Sequence, residues 1–364
     1  MPEPTVKFPI GSLTARLTRG ERVNDLPPVN PEREAPPPSI DGPQLFDAGD
    51  FRTESGEVIP KLQICYETWG KPNQFGSNTV LLTHGSGGDR LRMGAYMGPG
   101  RPFDPDRHFI VAVDAISAGL STRPSSTGLG KRFPRISIRD MVRSQCLLLT
   151  KGLGLTGVRS VAGPSMGGYQ AIEWAVTYPA FVRSAVCIIG SAQRTAHQAA
   201  IGAAIKAAIA TDRRWNDGEY TESPVDGLRA AGKAWFPWIF GEEWYLQYTP
   251  ETLDYALAES AERALLSDPW DTLCQEDACN THDVSAPFGG NLVGALRRAH
   301  MPVLVMPCTT DLLVPARNSR LLADLLPNPT YVEIPSYAGH GASSREVAFI
   351  SHHILRFFER SGLG

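Results

Sequence analysis

A short apolar run that leads through a glycine-flanked serine into a helical pattern places the strongest constraint on this chain. Residues 160–175 read Ser-Val-Ala-Gly-Pro-Ser-Met-Gly-Gly-Tyr-Gln-Ala-Ile-Glu-Trp-Ala. Small residues at Gly163 and Gly167 let a strand turn sharply into a helix, which forces Ser165 into a strained conformation and exposes its hydroxyl. The amide of Met166 would begin that helix, where it has no partner and can stabilise an oxyanion. The segment therefore predicts a nucleophilic serine.

The five-residue pattern is weak alone, because glycine is abundant at 35 of 364 residues and the pattern also arises by chance. Two later segments strengthen it. The apolar run Val303–Met306 precedes a loop that carries Asp311, and the next strand-like run precedes a loop with His340 between two glycines. A serine hydroxyl needs a base to take its proton, and a carboxylate to orient that base. We predict these roles for His340 and Asp311, with a helix cap and a turn residue as the alternatives.

The segment His84-Gly85-Ser86-Gly87-Gly88 follows another strand-like run, residues 79–83. Serine hydrolases of this kind take a second oxyanion donor from a loop after an early strand. We predict that the amide of Ser86 or Gly85 supplies it, and that Gly85 borders the substrate. A plain glycine-rich turn is the alternative.

Strand-like runs alternate with helical patterns along much of the chain. Parallel strands that alternate with helices form a sheet covered on both faces, with the site at the carboxyl ends of the strands. We therefore predict an α/β fold with a mostly parallel central sheet. The predicted strands are 61–67, 79–83, 109–114, 158–162, 185–189, 303–306 and 330–334, and the predicted helices of this region include 138–153 and 347–360.

Composition shifts divide the chain into three parts. Residues 1–45 are rich in proline and predict an extended or disordered arm, whereas 46–190 and 296–364 carry the alternating core pattern. Residues 191–295 are rich in alanine and tryptophan, with predicted helices at 199–210 and 230–245, and indicate a helical cap. In this cap Trp235, Phe236 and Trp238 are predicted to line an apolar substrate pocket, with cap core or a dimer contact as the alternative.

The charge balance limits the partners. A net charge of −3 with 20% charged residues leaves no basic surface for nucleic acid or anionic membranes. No signal peptide or long apolar stretch stands out, so we expect a cytoplasmic protein without a membrane span. The six cysteines lack metal-ligand spacing and are expected to be mostly free thiols, and we predict neither a metal nor a cofactor.

Six segments from about residue 46 onward carry a family resemblance. They are Glu54-Ser55-Gly56-Glu57, Tyr66-Glu67-Thr68-Trp69-Gly70, Gly98-Pro99-Gly100-Arg101-Pro102-Phe103-Asp104, Ile138-Arg139-Asp140-Met141-Val142, the Ser165 region with Gln170, Glu173 and Trp174, and Thr281-His282-Asp283-Val284. In these segments the chain resembles the homoserine O-acetyltransferase family of α/β-hydrolase-fold proteins. This resemblance implies the α/β-hydrolase fold with an inserted cap, transfer of an acetyl group to Ser165 and then to an acceptor, and homodimerisation through the cap.

Two positions depart from the members that acetylate homoserine. Those members usually carry an acidic residue directly after the catalytic histidine and an arginine in the cap, whereas this chain has Gly341 and Gly232. An amino acid zwitterion in a closed pocket needs both charges paired. We therefore expect a serine ester hydrolase that acts on short-chain acyl esters such as acetates. The alternatives are an acyl-CoA-dependent O-acetyltransferase, with homoserine or another small alcohol as acceptor, and a catalytically silent binding protein.

Overall fold

A sheet of eight strands forms the centre of the fold within residues 34–39 and 41–363, the part of the chain that the computed structural model describes. The strands are β1 (Gln44–Arg52), β2 (Val58–Trp69), β3 (Thr79–Leu82), β4 (Phe109–Val113), β5 (Ser160–Pro164), β6 (Ala185–Ile188), β7 (Val303–Met306) and β8 (Pro329–Tyr331). Their spatial order is β1-β2-β4-β3-β5-β6-β7-β8. The pairs β1–β2 and β2–β4 are antiparallel and the other five are parallel, which confirms the mostly parallel sheet.

The order reverses at β3, because β4 pairs on one side of it and β5 on the other. In open α/β sheets, such a switch point leaves a crevice at the carboxyl ends of the strands, where ligands bind. The loops that follow β3 and β5 both begin at this crevice. They contain the predicted oxyanion segment 84–88 and the predicted nucleophile Ser165.

Helices cover both faces of the sheet. The α-helices are α1 (Pro124–Thr127), α2 (Ile138–Leu147), α3 (Met166–Thr177), α4 (Ala196–Ala210), α5 (Val225–Ile239), α6 (Pro250–Ala264), α7 (Pro269–Asn280), α8 (Leu292–Leu296), α9 (Ala316–Leu325), α10 (Ala342–Arg345) and α11 (Val347–Arg360). Short 3-10 helices lie at Arg90–Tyr96, Gly130–Arg132, Arg213–Gly218, Glu242–Gln247, Ala286–Phe288 and Gly339–Gly341, and one π-helical turn lies at Leu148–Gly152.

Side chains of the buried strands alternate between two apolar layers, as a period of two requires. In β7, Val303 and Val305 join the layer beneath α2 and α3, whereas Leu304 and Met306 join the layer beneath α11. All four residues are fully buried. The continuous apolar runs of the sequence therefore reflect strands that are covered on both sides.

The segment 191–295 runs between β6 and β7 and consists of helices and turns, including α4 to α8. We call it the insertion. Residues 192–193 and 283–284 of this segment lie side by side, since an isolated antiparallel bridge pairs Gln193 with Asp283 and the amide of Val284 donates to the carbonyl of Ala192 (3.1 Å). The part of the insertion between them therefore begins and ends at one place, which we call the neck.

Some predicted boundaries differ from the structure. The helix predicted at 230–245 begins earlier and ends at Ile239, shortly after Pro237, because proline cannot donate a backbone hydrogen bond. The strand predicted at 330–334 is shortened to β8, with one further bridge at Ile334. The first strand begins at Gln44, two residues inside the predicted arm.

Most of the predicted arm lies outside the described residues. Its last part, residues 34–39, has no regular secondary structure and lies against the core. Nε1 of Trp69 donates to the carbonyl of Pro37 (2.7 Å), and a Cβ at Gly94 would meet the carbonyl oxygen of Glu34 at 2.5 Å. This close approach indicates that the end of the arm packs tightly onto the 3-10 helix that contains Gly94.

Candidate active site

Ser165 occupies a strained turn between β5 and α3. Its φ of 55° and ψ of −121° lie outside the regions that residues with a side chain favour. Its amide donates to the carbonyl of Ile188 (2.9 Å), and its carbonyl accepts from the amide of Tyr169 (3.0 Å). The turn is therefore held by the adjacent strand and by the first turn of the helix.

The two glycines that flank this turn are required by the end of β3. A Cβ at Gly163 would lie 2.2 Å from Oγ1 of Thr83, and a Cβ at Gly167 would lie 3.0 Å from the same atom. Oγ1 of Thr83 donates to the carbonyl of Gly167 (3.0 Å). The spacing of the glycines thus follows from how closely β3 and the turn pack.

Ser165, His340 and Asp311 lie in one chain of hydrogen bonds, although they come from loops after β5, β8 and β7. Nε2 of His340 is 2.8 Å from Oγ of Ser165, and Nδ1 is 2.8 Å from Oδ2 of Asp311. The other carboxylate oxygen of Asp311 accepts from the amides of Leu313 (2.9 Å) and Val314 (2.8 Å). The carboxylate is fully buried and fixed on both oxygens.

This arrangement can activate the serine. Because the carboxylate of Asp311 only accepts, the neutral ring of His340 carries its proton on Nδ1 and leaves Nε2 as the acceptor for the hydroxyl of Ser165. A serine in this setting can lose its proton to the imidazole as it attacks a carbonyl carbon, and the buried carboxylate stabilises the imidazolium that forms.

The predicted oxyanion donors lie next to Ser165. Met166 is the first residue of α3, so its amide has no acceptor within the helix. A Cβ at Gly85 would lie 3.3 Å from Cβ and 3.9 Å from Oγ of Ser165, so Gly85 borders the nucleophile directly. Oγ of Ser86 donates to Oε1 of Glu276 in α7 (2.8 Å), and Ser86 lines the same cavity as Ser165.

A cavity of about 330 Å³ extends from Ser165 and His340 into the insertion. Its size falls in the range of small-molecule sites. Most of its wall inside the insertion is apolar. Gly85, Ser86, Trp235 and Phe236 are among the residues that line it. The apolar lining comprises Ile205, Ile209, Leu228, Ala231, Trp235, Phe236, Ile239 and Phe240.

Trp238 is not among the residues that line this cavity, contrary to the prediction. Its indole packs edge-to-face on the ring of His197 in α4, with centroids 5.5 Å apart. On α5 the cavity face carries Leu228, Gly232 and Trp235, and Trp238 falls beyond the edge of that helical stripe. The aromatic run of α5 therefore divides between the cavity and the packing of the insertion.

Several cavity residues were missed from the sequence because no local pattern marks them. Arg92, Arg194, Arg263, Arg345 and Glu276 all line the cavity. They come from widely separated parts of the chain, so only the tertiary structure brings them together.

The two departures noted in the sequence have defined surroundings. A Cβ at Gly232 would lie 2.5 Å from the carbonyl oxygen of Ser260, because α5 and α6 pack closely there. A Cβ at Gly341 would lie 3.0 Å from the ring of Phe240. At both positions the neighbouring groups occupy the space that a longer side chain would need.

His84 holds the start of the loop after β3 through both nitrogens of its ring. Nδ1 of His84 hydrogen-bonds the carbonyl of Gly85 (2.8 Å), and Nε2 accepts from the amide of Ala115 (3.0 Å). His84 therefore organises this loop.

His282 lies in the insertion, stacked on Tyr169 with ring centroids 4.6 Å apart. Its Nε2 lies 3.2 Å from the carbonyl of Ser191, and burial lowers its pKa to about 4. A neutral, buried ring with these contacts is part of the packing around α3 rather than a second base.

All six cysteines are free thiols. Within residues 34–39 and 41–363, no cluster of three or more His, Cys, Asp and Glu side chains is arranged to hold a metal ion. No helix in the same residues is both long enough and apolar enough to span a bilayer.

Comparison with known proteins agrees with this fold. A family model described as the alpha/beta hydrolase fold matches residues 78–344. Among relatives, a homoserine O-acetyltransferase from Thermobifida fusca is 33% identical, with 90% of this chain and 96% of that protein covered. A Corynebacterium glutamicum protein named as a probable esterase is 30% identical, with 88% and 97% covered.

Solved structures include an acetylester hydrolase from Corynebacterium glutamicum, with a TM-score of 0.83, 28% identity and coverage of 87% of this chain and 96% of that one. The fold, the sequence relatives and this structural neighbour agree. The chain belongs to the α/β-hydrolase-fold family, in the group that contains homoserine O-acetyltransferases and related esterases.

Proposed function

We propose that this protein is a serine carboxylic ester hydrolase that acts on short-chain acyl esters, acetates in particular. The observation that carries the proposal is the unbroken hydrogen-bond chain from Ser165 through His340 to Asp311, with both contacts at 2.8 Å. This hydrogen-bond chain opens onto a largely apolar cavity of about 330 Å³. A positioned nucleophile, base and carboxylate beside such a cavity are the requirements for acyl transfer through a covalent intermediate.

In the first half of the proposed reaction, Oγ of Ser165 attacks the ester carbonyl carbon while its proton passes to Nε2 of His340. The carbonyl oxygen becomes an oxyanion, held by the amides of Met166 and Ser86. When the tetrahedral intermediate collapses, the bond to the alcohol oxygen breaks and the proton moves from His340 to the departing alcohol. The product is an acyl ester on Ser165.

In the second half, water attacks the acyl-enzyme. Nε2 of His340 takes one proton from the water as its oxygen bonds to the acyl carbon. Collapse of the second tetrahedral intermediate releases the carboxylic acid and returns the proton to Ser165. No group beyond the chain's own residues and water is needed.

Two features favour water over an amino acid as the acceptor. At Gly232 and Gly341 this chain lacks the arginine and the acid by which homoserine-acetylating members hold the two charges of their acceptor. At Gly232 the backbone of α6 lies where the Cβ of an arginine would begin, and at Gly341 the ring of Phe240 lies within 3.0 Å of a Cβ and would have to shift for an acid. A zwitterion would therefore lack matched partners at these two positions.

The second candidate is acetyl transfer from an acyl-CoA to a small alcohol. It is favoured by the homoserine O-acetyltransferase of Thermobifida fusca, which matches at 33% identity over 90% of this chain. Partition of an acyl-enzyme between water and alcohol changes tenfold for only about 1.4 kcal/mol in barrier height. The two activities can therefore share one set of catalytic residues.

Paired assays test the proposal. We expect the purified protein to release acid from ethyl and phenyl acetate, and to transfer little acetyl from acetyl-CoA to L-homoserine. A Ser165→Ala variant serves as the control for both reactions. Efficient homoserine acetylation with slow ester hydrolysis would contradict the proposed esterase activity and support the acetyltransferase. Absence of any Ser165-dependent turnover would favour a binding protein.

We also propose that the protein is a cytoplasmic homodimer that pairs through the insertion. Apolar side chains on and beside α6 are strongly exposed, with Tyr255 at 63%, Leu246 at 64% and Leu266 at 80%. Exposed apolar groups of this kind are enriched at protein interfaces. Sedimentation equilibrium of the wild type and of a Leu266→Glu variant tests the dimer, which the substitution should dissociate.

The proposed cytoplasmic location is supported by the cysteines. All six are free thiols, which suit a reducing compartment.

A further inference from the structure

The loop after β3 is held partly by the core. The amide of Gly88 donates to the carbonyl of Gly85 (3.0 Å), which closes a turn around Ser86 and Gly87. His84 contacts the same carbonyl and anchors the loop to Ala115 after β4. These contacts fix the two ends of the turn, whereas Ser86 and Gly87 at its centre need other partners.

Helix α7 of the insertion supplies those partners. Oγ of Ser86 donates to Oε1 of Glu276 (2.8 Å), and the amide of Gly87 donates to Oε1 of Gln275 (3.0 Å). The other end of the Gln275 amide donates to the carbonyl of Ser117 after β4 (2.7 Å). The two neighbouring residues of α7 therefore join the centre of the turn to the insertion and to the next loop.

Glu276 is itself held in place. Its side chain is 9% exposed and that of Arg194 is 5% exposed, and the two approach at 3.6 Å between Oε2 and Nη2. A buried carboxylate requires an opposite charge. Both side chains line the same cavity as Ser165 and His340. The Ser86 contact is therefore one end of a buried polar chain that crosses from the insertion to the crevice.

We infer that Glu276 and Gln275 are positioning residues that aim the backbone amide of Ser86 at the oxyanion. The inference rests on the proposed function. Neither residue needs to touch the substrate, because each acts through the loop. Oxyanion donors must lie within about 3 Å of the charged oxygen, and a displacement of about 1 Å can cost about 100-fold in rate. The insertion thus contributes to the chemical step as well as to the cavity wall.

Four substitutions test this inference in the full-length protein. Glu276→Ala removes the acceptor of the Ser86 hydroxyl, whereas Glu276→Gln keeps an acceptor oxygen. Ser86→Ala removes the same hydrogen bond from the other side and keeps the backbone amide. Asp277→Ala is the matched control, because Asp277 neighbours Glu276 on α7 but has a side chain that is 53% exposed and contacts Lys206.

The measurements are kcat and KM for phenyl acetate, the rate of inactivation by a fluorophosphonate, and the thermal midpoint. We expect Glu276→Ala to lower kcat and the inactivation rate by about 10- to 100-fold, with KM nearly unchanged, because the donor acts in the transition state. Glu276→Gln should restore most of the loss, and Asp277→Ala should resemble the wild type. The double variant Ser86→Ala/Glu276→Ala should be no slower than the slower single variant, since both remove one contact.

A lower thermal midpoint with unchanged kcat in Glu276→Ala would reduce the residue to a structural role and overturn the inference. Additive losses in the double variant would show that Glu276 does not act through Ser86, which also overturns it. If the wild type hydrolyses no ester but its Ser165 reacts with the fluorophosphonate, the proposed function fails while the inactivation rates still decide this inference. Wild-type protein without turnover and without labelling would overturn both.

Discussion

Two regions of the molecule border the cavity and are built differently. At the sheet edge, the side chains of Ser165, His340 and Asp311 meet through two hydrogen bonds of 2.8 Å. In the insertion, side chains from α4, α5, α6 and α7 form the wall of the cavity. The first region is fixed by backbone geometry, with the φ of Ser165 at 55° and both oxygens of Asp311 engaged. The second is fixed by helix packing and one buried ion pair. The difference suggests that the sheet edge carries the reacting side chains, whereas the insertion shapes the space for the substrate and holds the loop after β3 through α7.

Substitution of Asp311 is the strongest test of the catalytic role of the sheet edge. We expect Asp311→Asn to lower kcat for ester hydrolysis by about 10⁴-fold, because an amide group would donate to Nδ1 of His340 and leave its Nε2 protonated and unable to act as a base. The asparagine oxygen can keep the bonds to the amides of Leu313 and Val314, so folding should persist. Steady-state kinetics with circular dichroism would check this result. A variant with near wild-type kcat would remove Asp311 from the proposed triad.

Buried histidines in the core and in the insertion should make the free energy of unfolding depend on pH. Burial lowers the pKa to about 4 for His108 in the core and for His282 in the insertion, with nearby arginines adding to the effect. In the unfolded chain these two histidines take up protons below the ordinary histidine pKa of about 6.5. In the folded chain they take up protons only near pH 4. Stability should therefore be complete above pH 6.5 and fall by roughly 3 kcal/mol for each histidine as pH drops to 4.

Urea unfolding at pH 7, 6 and 5 measures this slope. His282→Asn cannot titrate at this position, so its stability should fall less steeply with acid than that of the wild type. His352→Asn, at an exposed position on α11, is the matched control and should keep the wild-type slope. An unchanged slope in His282→Asn would contradict the prediction.

Two tryptophans of α5, Trp235 and Trp238, should differ in their effect on substrate selectivity. Trp235 lines the cavity and Trp238 packs on His197, so Trp235→Ala should enlarge the cavity and Trp238→Ala should not. We expect Trp235→Ala to raise kcat/KM for hexanoate relative to acetate esters by about 10-fold, the order of effect of one or two methylene groups in an apolar pocket. A series of 4-nitrophenyl esters would measure it. Equal shifts in both variants would contradict the division of α5 described above.

The smallest effect is expected at Arg229, the arginine of α5 closest to the position where homoserine-acetylating members carry theirs. Its guanidinium donates to Glu262 on α6 (2.8 Å) and is 43% exposed, so it is engaged between the two helices. Arg229→Ala should leave ester hydrolysis unchanged, because surface ion pairs contribute little. Loss of ester hydrolysis in Arg229→Ala would show that Arg229 contributes to substrate binding. That result would support the acetyltransferase alternative.

The fold and the edge were largely predictable because each depends on local sequence. Glycines around Ser165 indicate the turn whatever surrounds it, and the apolar runs of β3, β5, β6 and β7 identify buried strands. Asp311 could be selected because it lies in the loop after β7, and His340 because it lies between two glycines in the loop after β8. The catalytic roles of the three residues remain predictions, supported by the geometry of the hydrogen-bond chain.

The insertion was less predictable because its contacts are long-range. The contact of Ser86 with Glu276 joins residues 190 positions apart, and no periodic pattern marks either residue. Similarly, the aromatic run of α5 does not reveal which rings turn toward the cavity, since that depends on how the helix is rotated against α4 and α6. Trp238 was misplaced for this reason.

The neck of the insertion has an evolutionary consequence. Because the chain leaves the sheet after β6 and a bridge pairs Gln193 with Asp283 before it returns to β7, residues 193 and 283 lie side by side. A segment anchored in this way can change in length or be exchanged by recombination without moving the strands that present the serine, the acid and the histidine, as long as the contacts of α7 with the loop after β3 are kept. One ancestral scaffold could in this way give rise to enzymes that pass the same acyl group to different acceptors.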